Sequence, residues 1–226
     1  MIELQIDCAD APIPLRFNAD HLICCGWAGR DRAALQAHVD ELALLGVPPP
    51  TRVPTYMNLS TYLLTAAANI DVVSDTTSGE VEYVLLRLGD RMWVTVGSDH
   101  TDRHIEGQSI VASKQMCAKY LAGRCWPYDE VAGHWDRLVL RCWITKGGRR
   151  TLYQDSPLAS ILGPQELLKN LPEALDPAQG VVLYSGTIPT KVPLIYGDAY
   201  ELALEDPVRR RRIGGEYRVT QFAQHV

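Results

Sequence analysis

The clearest pattern of apolar and polar positions is a pair of facing runs: Gly79-Glu80-Val81-Glu82-Tyr83-Val84-Leu85-Leu86, then Trp93-Val94-Thr95-Val96-Gly97-Ser98-Asp99. Val, Tyr, Leu and Trp suit a pleated, buried surface. Leu88-Gly89-Asp90-Arg91 between the runs offers a Gly-X two-residue turn, so the stretch predicts a β-hairpin. With Gly89 and Asp90 as the turn, Leu88 faces Arg91, Leu86 faces Trp93, Glu82 faces Gly97 and Glu80 faces Asp99.

Around this hairpin, residues 1–20 read as one or two short strands, and His21-Leu22-Ile23-Cys24-Cys25-Gly26 as a buried strand. Leu35, Val39, Leu42 and Leu45 recur every three or four positions, which predicts a helix from Ala33 to Leu45, with Asp31 as its cap and Gly46 closing it. A loop is expected through Tyr56, Asn58 and Tyr62. Ser109 to Tyr120 reads as a short helix, and Asp136 to Ile144 as a strand that turns at Lys146–Arg149 into Thr151–Tyr153. Pro164 to Leu171 reads as an amphipathic helix with Pro at its start. Val181 to Thr187 is a buried strand ending in a Gly-Thr turn, Leu194 to Glu205 a further strand, and Arg218 to Phe222 an edge strand. The sum is a single α+β domain, strand-rich. It lacks the βα alternation of a doubly wound sheet and any G-x-G-x-x-G or P-loop pattern.

Composition changes this picture little. At 226 residues and 46% hydrophobic, the chain can bury a large core. A net charge of −5 and a pI near 5.7 give no electrostatic footprint for nucleic acid, and no apolar run is long enough to span a bilayer. Arg209-Arg210-Arg211-Arg212 follow the acidic Glu205-Asp206-Pro207 and read as a solvated or subunit-contacting helix turn. Met1 to Asp7 alternates like a strand and lacks the basic start and apolar core of a signal peptide. Cys8, Cys24, Cys25, Cys117, Cys125 and Cys142 form no C-x-x-C pair, so they read as reduced thiols in a cytoplasmic protein.

The chemistry sits at the open end of the hairpin. Residues two apart on a strand share a face, as do directly opposed residues, so Glu80, Glu82 and Asp99 project to one side, with Gly97 leaving room between them. Like charges so placed repel. One remedy is a carboxyl that stays protonated with a raised pKa; the other is a cation among the acids. An all-oxygen set favours a hard divalent ion, Mg²⁺ or Mn²⁺ before Zn²⁺. The plainer alternative is an acidic hairpin end that points into water, and spacing does not separate the two.

Further motifs follow in order. They are Ile23-Cys24-Cys25-Gly26, His38-Val39-Asp40-Glu41, Glu80-Val81-Glu82, Ser98-Asp99-His100-Thr101-Asp102-Arg103, Lys114, Ser185-Gly186-Thr187-Ile188-Pro189 and Gly197-Asp198-Ala199-Tyr200-Glu201-Leu202. This order resembles the fumarylacetoacetase-like superfamily, in a bacterial branch of it. The superfamily runs through I-x-x-V-G, H-x-x-E, E-x-E, N-D-x-[ST]-x-R, a lysine, T-G-T-P and G-D-x-[IV]-E. The resemblance spans about residues 21–205, with 1–20 as N-terminal strands and 206–226 as a basic tail.

The resemblance implies a mixed β-sheet, β-roll fold. It also implies Mg²⁺ (or Mn²⁺) held by Glu80, Glu82 and Asp99, and Lys114 stabilising a developing oxyanion. His38 and Glu41 would form a dyad in which Glu orients His as general base towards water. Arg103 would steady Asp99 or bind a substrate carboxylate, while Gly186 and Thr187 would bind a carboxylate or oxo group. The implied reaction is hydrolysis of a C–C bond in a small oxo-acid or β-diketone of the acylpyruvate kind, through a metal-bound enolate, by a homodimer. His38 lies later than the family's usual histidine, the segment between Glu82 and Asp99 is short, and Ile188 interrupts T-G-T-P. These departures imply a restyled pocket. Decarboxylation, hydration or isomerisation of an oxo-acid could use the same site. Other classes are a non-catalytic small-molecule binder and an arginine-dependent binder of acidic partners.

Overall fold

The computed structural model describes residues 1–7, 11–33, 35–36, 39–40, 49–171, 175–176 and 178–222. His38, Glu41 and most of the expected helix from Ala33 to Leu45 lie outside the described residues.

The hairpin forms in the expected register. Strands Val81–Leu88 and Arg91–Asp99 pair Leu88 with Arg91, Leu86 with Trp93 and Glu82 with Gly97. Gly89 has φ 63°, the left-handed turn position that glycine takes without strain. Both faces of the hairpin are buried, which is why its sequence reads as nearly continuous apolar rather than alternating. One face sends Tyr83, Leu85, Val94 and Val96 into a core shared with Leu140, Ile144, Leu202, Leu204 and Ile213. The other sends Val84, Leu86 and Trp93 against Leu4, Phe17, Leu22, Met57 and Val182. Each such side chain taken out of water contributes on the order of 1.5–3 kcal/mol.

A ten-stranded mixed sheet carries the hairpin at its middle. Val181–Tyr184 pairs antiparallel with Val81–Leu88 and parallel with His21–Gly26, whose other neighbour is Thr55–Leu59. On the far side, Arg124–Pro127 joins the hairpin to Ile2–Ile6 and Ile13–Phe17. A second sheet of five strands runs in the order Arg149–Pro157, Val139–Lys146, Ala199–Asp206, Arg211–Gln221, Asn69–Val72. The fold is therefore α+β and strand-rich, as expected. Among the described residues no helix is long and apolar enough to cross a membrane.

Three local expectations are corrected. The loop expected through Tyr56 and Asn58 contains a strand, Thr55–Leu59, because Met57 and Leu59 alternate inward around the exposed Asn58. Arg218 to Phe222 is not an edge: Arg211–Gln221 lies between Ala199–Asp206 and Asn69–Val72. Its inward residues Ile213 and Tyr217 are separated by Gly214-Gly215-Glu216, which hides the strand period. Arg209 to Arg212 are the turn and start of a hairpin, not a helix turn. Three of them are neutralised within the chain: Arg209 and Arg211 pair with Glu130, and Arg212 pairs with Glu201.

Candidate metal centre

Glu80, Glu82 and Asp99 come together, each offering a carboxylate oxygen within 4.8 Å of the others. The hairpin places them. Glu82 stands opposite Gly97, and the Asp99 amide donates to the Glu80 carbonyl at 3.1 Å, continuing the ladder one residue beyond the strand. Glu82 and Asp99 are buried, and Glu80 is half-buried. Gly97 does not leave the room expected of it. A side chain there would come within 2.6 Å of the Tyr120 carbonyl and 2.8 Å of the Tyr184 ring. Its role is close approach, so Gly97→Ala is expected to cost about 1–3 kcal/mol in urea unfolding. An unchanged midpoint would contradict that contact.

The sequence left two remedies for the repulsion; the structure supplies a third. Lys114 Nζ lies 2.6 Å from Asp99 Oδ2 and 3.4 Å from Glu80 Oε2, and Lys119 Nζ lies 3.0 Å from Asp99 Oδ1. Lys114 is carried by the short helix Ile110–Gln115, whose N-cap Ser109 accepts from the Ala112 amide. The expected helix stops there. Lys119 opens a strand, Lys119–Leu121, directly opposite Asp99. Lys119 is fully buried and also donates to the carbonyls of His100, Lys114 and Cys117. Nothing in the local pattern marks this residue, because its partner is set by tertiary strand pairing.

Arg103 begins the turn of helix Arg103–Glu106, capped by Asp102. It steadies Glu80, at 2.9 Å, rather than Asp99. The rest of its fork donates to Ser78 Oγ at 2.7 Å and to both oxygens of Glu106, at 2.9 and 3.1 Å.

Glu82 is held differently. Its Oε2 accepts from the Gly186 amide at 2.8 Å, while Oε1 is buried with no hydrogen-bond partner among the described residues. Gly186 has φ 87°, and a side chain there would press on Ala28. Thr187 Oγ1 donates to the Val81 carbonyl and accepts from Gln154 Nε2, at 2.9 and 2.8 Å. Gln154 also accepts from the Val81 amide, so it ties the Ser185–Pro189 turn to the hairpin between Glu80 and Glu82. Gln154 too went unmarked in the sequence, since it reaches the site from the second sheet.

Electrostatics sort the three acids. Burial raises the Glu82 carboxyl well above the usual range, and the charge of Asp99 adds to this. Burial acts on Asp99 as well, but Lys114 and Lys119 outweigh it and hold that carboxyl at about 2. For Glu80, burial is outweighed by Arg103 and Lys114, which hold it below its usual value. His100 is pushed down to about 3 by burial and by Lys119, and its nitrogens are taken up by Tyr217 and Thr77. It is a neutral structural residue.

These features fit a hard divalent cation. The donors are all oxygen, they converge, and among the described residues the buried Glu82 Oε1 has neither a hydrogen bond nor an ion pair, whereas Asp99 Oδ1 at least faces Lys119. Glu80 also faces a cleft of about 390 Å³, lined by Arg103, Glu106, Tyr153, Gln154, Thr187 and Tyr196 among others.

No curated protein sequence matches the chain. Solved structures do match its fold. A 2-keto-3-deoxy-D-arabinonate dehydratase complexed with magnesium and 2,5-dioxopentanoate is similar with TM-score 0.64 at 15% identity, over 97% of this chain and 79% of that one. A fumarylacetoacetate hydrolase from psychrophilic Exiguobacterium antarcticum gives 0.61 at 11% identity, over 94% and 80%. A 4-oxalocrotonate decarboxylase from Pseudomonas putida G7, complexed with calcium and acetate, gives 0.56 at 14% identity, over 91% and 78%. The sequence pattern of the family described as protein of unknown function DUF2848 matches residues 25–217. The chain thus belongs to the DUF2848 family and has the fumarylacetoacetase-like fold.

Proposed function

We propose that the chain is a divalent-metal-dependent enzyme of small oxo-acids, and that its reaction is hydrolytic cleavage of a C–C bond in an acylpyruvate-like substrate. The single observation behind the metal is the buried, unpartnered Glu82 Oε1 facing Asp99 and Glu80. Glu80, Glu82 and Asp99 would hold Mg²⁺ or Mn²⁺, which when bound supplies a Lewis acid for carbonyl oxygens.

The chain's own residues do the rest. Burial works against the charge on Lys114, but Asp99 and Glu80 favour it, so Nζ keeps its proton. An ammonium beside these acids in a water-poor site stabilises negative charge as it develops on a nearby substrate oxygen. Lys119 fixes Asp99, Arg103 fixes Glu80 and the Gly186 amide fixes Glu82. Thr187 and Gln154 keep the Ser185–Pro189 turn as a wall of the cleft. The base that delivers water would be His38, oriented by Glu41. The magnesium and 2,5-dioxopentanoate of the dehydratase support the choice of ion and substrate class. The cytoplasmic location read from the cysteines and the homodimer implied by the resemblance belong to this proposal.

Acylpyruvate turnover by the Mg²⁺-loaded chain tests it. His38→Ala is expected to lower hydrolysis by about 10²–10⁴-fold, and a chelator to abolish it. Turnover that survives the chelator would refute the metal. A second reading, a decarboxylase, hydratase or isomerase, is favoured by one observation: the described residues by themselves bring three acids and two lysines together, enough to hold a metal and a positive charge beside it. Turnover that survives His38→Ala but not the chelator would select it.

A further inference from the structure

Resting on the oxo-acid reading, we propose that the site takes monocarboxylate oxo-acids with an uncharged tail and rejects dicarboxylates, and that Glu106 sets this preference. An oxo-acid engages the metal and Lys114 with its carboxylate and oxo group. A second carboxylate would need its own cation in the cleft. Among the described residues lining the cleft, Arg103 is the sole cation. Its charge faces two carboxylates and most of its donors are taken: Nη1 by both oxygens of Glu106, Nη2 by Glu80 and Nε by Ser78.

A dicarboxylate could grip Arg103 bidentately only by displacing Glu106 or Glu80, which trades one charge-assisted pair for another with no net gain. It would also bring a carboxylate against that of Glu106, whose side chain is 33% exposed beside the cleft. A repulsive group of this kind is how sites reject near-analogues. Tyr153, Thr190, Leu194 and Tyr196 complete the wall and carry no charge, so they suit an alkyl or hydroxylated tail.

The test compares 2-oxopentanoate with 2-oxoglutarate, which has the same five carbons and one more carboxylate, on the Mn²⁺-loaded full chain. Binding is read by the change in the Mn²⁺ magnetic resonance spectrum. The wild-type chain is expected to bind 2-oxopentanoate at least about tenfold more tightly. Glu106→Gln removes the carboxylate that competes for Arg103 Nη1 and is expected to shrink that ratio about tenfold by strengthening 2-oxoglutarate. Equal binding by the wild type, or an unchanged ratio in Glu106→Gln, overturns the preference and leaves the oxo-acid reading standing. Mn²⁺ binding with neither acid bound overturns both. No Mn²⁺ binding overturns the metal centre itself.

Discussion

Asp99→Asn is expected to destabilise the protein by about 3–5 kcal/mol, more than any other single change at the site. Asp99 faces two ammonium groups, Lys114 at 2.6 Å and Lys119 at 3.0 Å, and all three side chains are nearly or fully out of solvent. The amide keeps the shape and removes the charge. Lys119 retains three carbonyls but loses its counter-ion, and Lys114 is left with Glu80 at 3.4 Å. A buried pair broken on one side costs far more than the intact pair contributes, because the stranded charge cannot return to water. Urea unfolding followed by tryptophan fluorescence reads the difference. A loss below about 1 kcal/mol would mean that the lysines re-pair or reach solvent, and that Asp99 is not their anchor.

Glu82→Gln is expected to behave in the opposite way: stability unchanged or slightly raised without metal, and Mn²⁺ affinity lowered about 100-fold or more. Glu82 faces the same cluster without a cation of its own. Among the described residues its one hydrogen-bond partner is the Gly186 amide, which a Gln oxygen can retain. Removing the charge relieves both its burial and its repulsion from Asp99. The metal, by contrast, loses the carboxylate of the three that has no ion pair among the described residues. Isothermal titration with Mn²⁺, set beside the urea midpoint, separates the two effects. If Glu82→Gln bound Mn²⁺ like the wild type, Glu82 would be only a buried acid.

The contrast between these residues shows which parts of the site the sequence could reveal. The acids were legible because a two-residue turn and a period of two fix where hairpin side chains point, and the pairing of Glu82 with Gly97 is local. Lys119 and Gln154 were not, since Lys119 meets Asp99 through strand pairing and Gln154 arrives from the other sheet. Arg103 was named, but the resemblance set it on Asp99 or on a substrate carboxylate, while the helix it starts turns it to Glu80 and Glu106. The repulsion argument likewise named protonation and a metal but not lysines, because their distance from the acids depends on the fold. The strand-rich class was legible from alternation; Thr55–Leu59 and Arg211–Gln221 were obscured by polar and glycine positions within them. His38 and Glu41 lie outside the described residues, so their part in the site rests on the resemblance alone.

The most direct test of the metal centre is a crystal of the chain grown with Mn²⁺ and read by anomalous scattering. The expected result is one peak in contact with Glu82 Oε1 and with oxygens of Asp99 and Glu80, and a Lys114 ammonium displaced from between the latter two. A map without a peak at that position, with Lys114 still bridging Asp99 and Glu80, would contradict it.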